Sequence, residues 1–164
     1  MKDIDGLKIR GRLEIVHRGP DGRIKEHSIH HNLIVDIGFD NVNSLLRGAG
    51  GNALTHIGIG WAEPDTTPSD PAAGDVNLPT GGNYLQQRYT AVLSKIDVKN
   101  FKLVATVGSG EPSGAGSFPV PIRSIGAFWD GGTEDNELFA WLKRAVINKA
   151  SADSIEFTYT FTMS

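Results

Sequence analysis

The chain contains no cysteine. Disulfides and cysteine-ligated zinc are therefore excluded, and the fold has only its core to hold it. A cysteine-free chain also suits a protein that must persist both inside a cell and outside one. No apolar run approaches the roughly 20 residues that a membrane-spanning helix needs. The opening stretch, MKDIDGLKIRGRLEIV, alternates charged and apolar residues and lacks the apolar centre of a signal peptide. A basic excess is missing too: 16 Lys and Arg against 19 Asp and Glu leave a net charge of −3. Binding to a nucleic acid draws on counterion release by a basic footprint, so neither a nucleic-acid nor a membrane partner is expected. There is no internal repeat and no low-complexity tail.

What is present fits one domain over 1–164. Hydrophobic residues make up 39%, enough for a sizeable core at this length. The 20 glycines and 8 prolines favour many turns over long helices. Leu7, Ile9, Gly11, Leu13 and Ile15 share one parity, and Lys8, Arg10, Arg12 and Glu14 the other, the mark of a half-buried strand. Gly19-Pro20-Asp21-Gly22 then turns the chain. In the return strand, 23–31, Ile24 and Ile29 have opposite parity, which predicts a bulge or bend.

A short apolar strand, Leu33–Val35, leads into one helix over about 37–47. Asp36 is its expected N-cap, Gly48 its left-handed stop, and Phe39, Val42, Leu45 and Leu46 its buried face. Thr55–Trp61 reads as a strand with Ile57, Ile59 and Trp61 on one face, and Gly58 and Gly60 leaving room for a neighbouring backbone on the other. Residues 84–98 read as one strand, pairing with the alternating Phe101, Leu103, Ala105 and Val107. Further strands follow at 122–129 and 138–147. The last, with Ile155, Phe157, Tyr159, Phe161 and Met163 on one face, is expected at the centre of the core. The architecture these signals predict is mainly β: an antiparallel sandwich or flattened barrel with one short helix and two long Gly/Pro-rich loops, 63–83 and 108–121.

No catalytic, cofactor or metal set emerges. His27 and His31 share a strand face but stand about 13 Å apart, too far for one ion. His30 points the other way, so a site would need His56 or a symmetry mate to complete it. Asp130, Glu134, Asp135, Asn136 and Glu137 crowd one turn, yet their spacing does not match a calcium loop. Asp21 and Glu26 have no cleft around them as a glycosidase pair. Gly58-Ile59-Gly60 and Gly108-Ser109-Gly110 precede no good helix, as a phosphate cradle would require. The tryptophans at 61, 129 and 141 could stack on sugars, which keeps a carbohydrate-binding module open as an alternative.

Three stretches together resemble structural proteins of tailed bacteriophages. HNLIVDIGFDNVNSLLRG is similar to an HNLIV-x-x-G…LL-x-G pattern, THIGIGWAEPDTTPSD to an IGIG run, and PIRSIGAFWDGG…NELFAW to an IR-x-x-G-x-F hairpin before a final aromatic strand. The likeness covers roughly residues 10–162. It implies a non-enzymatic virion protein, part of a tail or baseplate or attached to a fibre, with capsid decoration as the alternative. It also implies assembly in the bacterial cytoplasm, as a homo-oligomer with a trimer among the candidates, in contact with other virion proteins. The absence of a repetitive shaft favours a small adaptor or surface decoration over a receptor-binding fibre. Loops rich in proline are expected to make the contacts. They offer Trp61, Pro64, Pro68, Pro71, Leu78 and Pro79 in the first region, Phe118 and Pro119 in the second.

Overall fold

The computed structural model describes residues 2–4, 7–132 and 135–164. They form strands β1 (Lys2–Ile4), β2 (Leu7–Arg18), β3 (Ile24–Ile34), β4 (His56–Ala62), β5 (Tyr84–Thr90), β6 (Val92–Lys95), β7 (Asn100–Val107), β8 (Val120–Phe128), β9 (Leu138–Lys149) and β10 (Ser154–Met163), with one helix, α1 (Asp36–Leu46). The strand with the cleanest alternation is indeed central. β10 pairs along its length with β2 on one side and β7 on the other. Its Ile155, Phe157, Tyr159 and Phe161 are fully buried, because every second residue turns inward.

All pairings are antiparallel, and the strand order is β5-β4-β8-β9-β3-β2-β10-β7-β6, with β1 added to β2. The two ends of that path, β5 and β6, are separated by Ala91 alone, whose N–H donates to the Thr55 carbonyl at 2.8 Å. The sheet therefore curls back on itself into a flattened, nearly closed barrel. Aromatic packing spans its two walls. Phe139 of β9 meets Phe161 of β10 edge-on at 5.0 Å, and the buried Tyr159 hydroxyl donates to the Ile125 carbonyl of β8 at 2.9 Å.

β3 links the two walls. It pairs with β2 through Asn32 and then, at Leu33 and Ile34, with β9. The strand expected at Leu33–Val35 is thus the tail of the return strand, which changes partner without stopping. The predicted bulge is present: His17 faces Glu26 and Arg18 faces Ile24, so Lys25 is the extra residue.

Four local expectations need correction. Val35, not Asp36, is the N-cap, and it makes no side-chain cap. The Asp36 N–H is instead taken by the Ala73 carbonyl at 2.7 Å, so a tertiary contact replaces the capping side chain. Of the predicted helix face, Phe39 is buried and Val42 half-buried, but Leu45 is 49% and Leu46 71% exposed. The helix meets the sheet only over its first turns, where Gly38 lies so close to the Phe139 carbonyl that a Cβ would stand 2.3 Å from it. Gly48 does end the helix with φ +65°. Residues 84–98 are two strands rather than one: β5 pairs with β4 and β6 with β7, with the break at Ala91. Finally, Gly58 and Gly60 admit side chains, those of Phe128 and Ser124, rather than a backbone.

Candidate functional site

Residues 63–83 carry the largest share of the predicted contact positions, and they do not hang free. They run across the outer face of β4, β8 and β9 and build a second, smaller core there. Phe128, Leu138 and Trp141 face away from the main core and are covered by Leu78 of this loop and Val35 at the helix start. Polar anchors fasten it along its length. Asp65 takes two hydrogen bonds from Arg123 (2.7 and 2.8 Å), Asp70 one from Lys143 (2.8 Å), and Asp75 one from the Trp141 indole (2.9 Å). Asn83 donates to the Pro64 carbonyl at 2.9 Å and Tyr84 to the Thr67 carbonyl at 3.2 Å. The Arg123 and Lys143 cations hold the Asp65 and Asp70 carboxyls below their ordinary range.

Beneath this strap lies Arg88 of β5. Its guanidinium stands 3.8 Å above the Phe128 ring, donates to the Asp130 carbonyl at 3.1 Å and to Asn77, and pairs with Glu137. One side chain thus ties β5, the strap and the β8–β9 turn together. A second polar seam runs where β3 and β9 face each other without pairing. Arg144 of β9 reaches Glu26 (2.8 Å), Ser28 (3.1 Å) and His30 (3.5 Å), three alternate residues on the inner face of β3. Burial raises the Glu26 pKa, but hydrogen bonds from Arg144 and Ser28 outweigh it and hold the carboxyl below its usual range. Burial, reinforced by Arg144, lowers that of His30.

A third cluster closes the far end. Asp153, buried in the β9–β10 turn, accepts hydrogen bonds from Lys25 (2.7 and 2.8 Å) and the Ala150 N–H (3.1 Å), and lies 2.8 Å from His17 Nε2. Burial alone would raise its pKa; these partners bring it below the ordinary value instead. Nearby Lys149 is fully buried, and desolvation pulls its ammonium below the usual lysine range against the attraction of Asp153 and Glu111. Single-chain reasoning passed over Arg88, Arg144, His17, Lys149 and Asp153. The only signal was weak: polar residues at inward parity on otherwise apolar strands.

The chemistry open to these groups is limited by their mutual engagement. The Ser28 hydroxyl donates to Glu26 at 3.0 Å, and each carboxylate of the three clusters is held by a cation. An open groove of about 610 Å³ beside the strap is lined by Arg123, Lys143 and Arg144, each already neutralised by a carboxylate. A second groove of about 500 Å³ lies where β2 and β3 part, walled by Ile9, Leu33 and Ile34 beside Asn32. Among the described residues no three His, Cys, Asp or Glu stand together as a metal set. His27 sits 2.8 Å from Glu14, and His56, three strand positions from β3 in the sheet order, is 2.8 Å from Thr55.

The predicted contact residues divide. Trp61, Pro68 and Leu78 are buried within this chain and offer no surface to a partner: Trp61 belongs to the main core and Leu78 to the outer one. Pro71 and Pro79 are half-buried; Pro64, Phe118 and Pro119 are exposed. The second loop is fastened at Gly110 to Ser151 (2.7 Å), at Glu111 to Gln87 (2.9 Å) and at Gly116 to Glu63 (3.1 Å). Of the possible sugar platforms, Trp61 and Trp141 are buried and Trp129 is half-buried. Of the acidic turn, Glu134 lies outside the described residues, and Glu137 belongs to Arg88.

Of the stretches 31–48, 55–70 and 121–141, the third is distant in sequence from the first two but adjoins them in the fold: β4, β8, β9 and the β3 tail are consecutive in the sheet, with α1 docked on β9. Comparison with protein-family models, with curated proteins and with solved structures found no match to this chain.

Proposed function

We propose that this chain is a non-enzymatic structural component of a tailed-bacteriophage virion, a small tail, baseplate or fibre-attachment part that assembles with copies of itself and with other virion proteins. The observation that supports it best is that the phage-like stretches converge on one continuous patch and their glycines are used there. Gly38 lets the helix touch the Phe139 carbonyl, Gly58 admits Phe128, and Gly126 would bring a Cβ to 3.0 Å from Leu138 and Phe128. The three stretches therefore form one packing unit in this fold. The interior supports it as well. Glu137, Glu26 and Asp153 are paired inside the walls with Arg88, Arg144 and Lys25 rather than facing a substrate cleft. A lattice of repeated copies rewards stiffness, since weak pairwise contacts add through high effective concentration.

The test is quantitative mass spectrometry of purified phage particles from a host carrying this gene. The reading expects the chain at a fixed copy number that tracks a known tail or baseplate protein. A copy number that follows the capsid protein moves it to head decoration, and absence from particles refutes a virion role.

A further inference from the structure

Among the described residues, the outer face of β3, β2, β10, β7 and β6 carries cations that no carboxylate pairs, its own carboxylates being Glu14 and, further along β10, Glu156. Arg12, Thr160 and Lys102 stand in register on β2, β10 and β7, with His31 opposite Arg12 on β3. Two strand spacings put Arg12 and Lys102 about 10 Å apart, and Arg10 lies about 7 Å further along β2 on the same face. Arg10, Arg12, His31 and Lys102 are exposed and Thr160 is half-buried, and among the described residues Arg10, Arg12 and Lys102 form no ion pair. The next row is largely apolar. It runs Ile29, Glu14, Thr158, Val104, Val92, with Ile29 50% and Val92 70% exposed, and its one carboxylate is engaged by His27 at 2.8 Å. A cationic stripe beside an apolar one is a protein-docking pattern. It lacks exposed aromatic rings on which bases or sugars would stack.

The complement is on the same chain. With net charge −3 and these cations gathered on one face, the remaining surface is acidic. Its densest acidic stretch is the β8–β9 turn, with Asp130, Glu134, Asp135 and Glu137 within eight positions. Asp130 and Asp135 are exposed. They accept hydrogen bonds from the Gly132 N–H (2.9 Å) and the Asn77 amide (3.1 Å), and among the described residues neither is ion-paired.

We infer that the Arg10–Arg12–Lys102 face receives the acidic β8–β9 turn of a second copy, with Asp130 and Asp135 set against the cationic stripe. Because the face and the turn are different patches, the contact is head-to-tail and closes a ring or extends a stack. The inference deepens the homo-oligomer part of the proposed function, but its outcome does not depend on the chain being found in a virion. Exposed ion pairs are individually weak and screened by salt, so the association is strongest at low ionic strength.

Sedimentation velocity of the full chain at low and high salt tests it, with thermal melts confirming that each variant folds. Wild type is expected to associate at low salt and dissociate at high salt. Arg12→Glu with Lys102→Glu, and separately Asp130→Lys with Asp135→Lys, are each expected to weaken association at least about tenfold. An equimolar mixture of the two double variants, each retaining one wild-type patch and one reversed patch, should also recover contact between the two reversed patches. A wild type that stays monomeric at low salt overturns the inference. So does association that survives the reversals, a mixture that stays dissociated, or a monomer whose face binds a polyglutamate probe instead, which would give the face to a different acidic protein.

Discussion

At the scale of single residues, the positions that matter most are those with no slack. Gly38 is one. Its missing side chain sets the distance between α1 and β9, and the atom a Cβ would strike is a backbone carbonyl that cannot step aside. Gly38→Ala is expected to cost about 2–3 kcal/mol in a denaturant melt. Gly11→Ala should cost less, because the Cβ there meets the far end of the Asn32 side chain, which can turn away. Asp153 is another. Lys25, His17 and the Ala150 N–H hold its folded carboxyl below the ordinary value despite burial, so the unfolded chain takes up a proton at a higher pH than the folded one. The stability this contributes is fully present above the ordinary carboxylate range and is lost as pH falls from there through the lower folded pKa. Asp153→Asn should cost about 3 kcal/mol near neutrality and flatten the acid limb of a plot of stability against pH. An acid limb as steep as wild type would show that other carboxylates set it.

At the scale of elements, the strap over 63–83 changes what its composition suggests. Four prolines between 63 and 83 read as a surface excursion or an arm for a partner. The chain instead uses the segment as the roof of a second core. Its energy is unevenly spread. Leu78 is 1% exposed and seals Phe128 and Trp141, so Leu78→Ala should cost about 2–5 kcal/mol. Asp65 is bound to Arg123 at the rim, where water screens the pair, so Asp65→Asn should cost no more than about 1 kcal/mol. Comparing the two by chemical denaturation separates a packed strap from an ion-paired one. Removing 65–80 would strip away Leu78, Asn77 and Asp75 together and expose the outer core, so the segment is not a dispensable arm. The helix teaches the same lesson in reverse: Leu45 and Leu46 have the right spacing to be buried, but the sheet ends before it reaches them.

At the scale of the whole molecule, β3 makes the two walls one body. It gives its first part to β2 and its last two residues to β9, and Tyr159 and Phe139 bridge the walls through the core. A wall cannot open while the other stays shut. Unfolding should therefore follow a single transition, with tryptophan fluorescence, which reports mainly on Trp61 and Trp141 in the β4–β9 wall, coinciding with far-ultraviolet circular dichroism. Two separated midpoints would show that the walls melt apart. The same shared strand places the cationic face and the acidic turn on different walls, an arrangement that favours head-to-tail contacts over a self-complementary pair.

The amino-acid order alone determined the β-rich class, the β2–β3 turn at Gly19–Gly22, the helix to within a residue at each end, and the inward faces of β2, β7 and β10. Each of these depends on neighbours a few positions away, through alternation, turn chemistry and helix stops. Only the tertiary structure decided that 84–98 divides at Ala91, that β3 changes partner at Leu33, and that the proline-rich segment is a roof. It also decided that Arg88, Arg144 and Asp153 anchor buried networks. Those features depend on contacts between residues tens to more than a hundred positions apart, and such contacts leave no periodicity in the sequence that forms them.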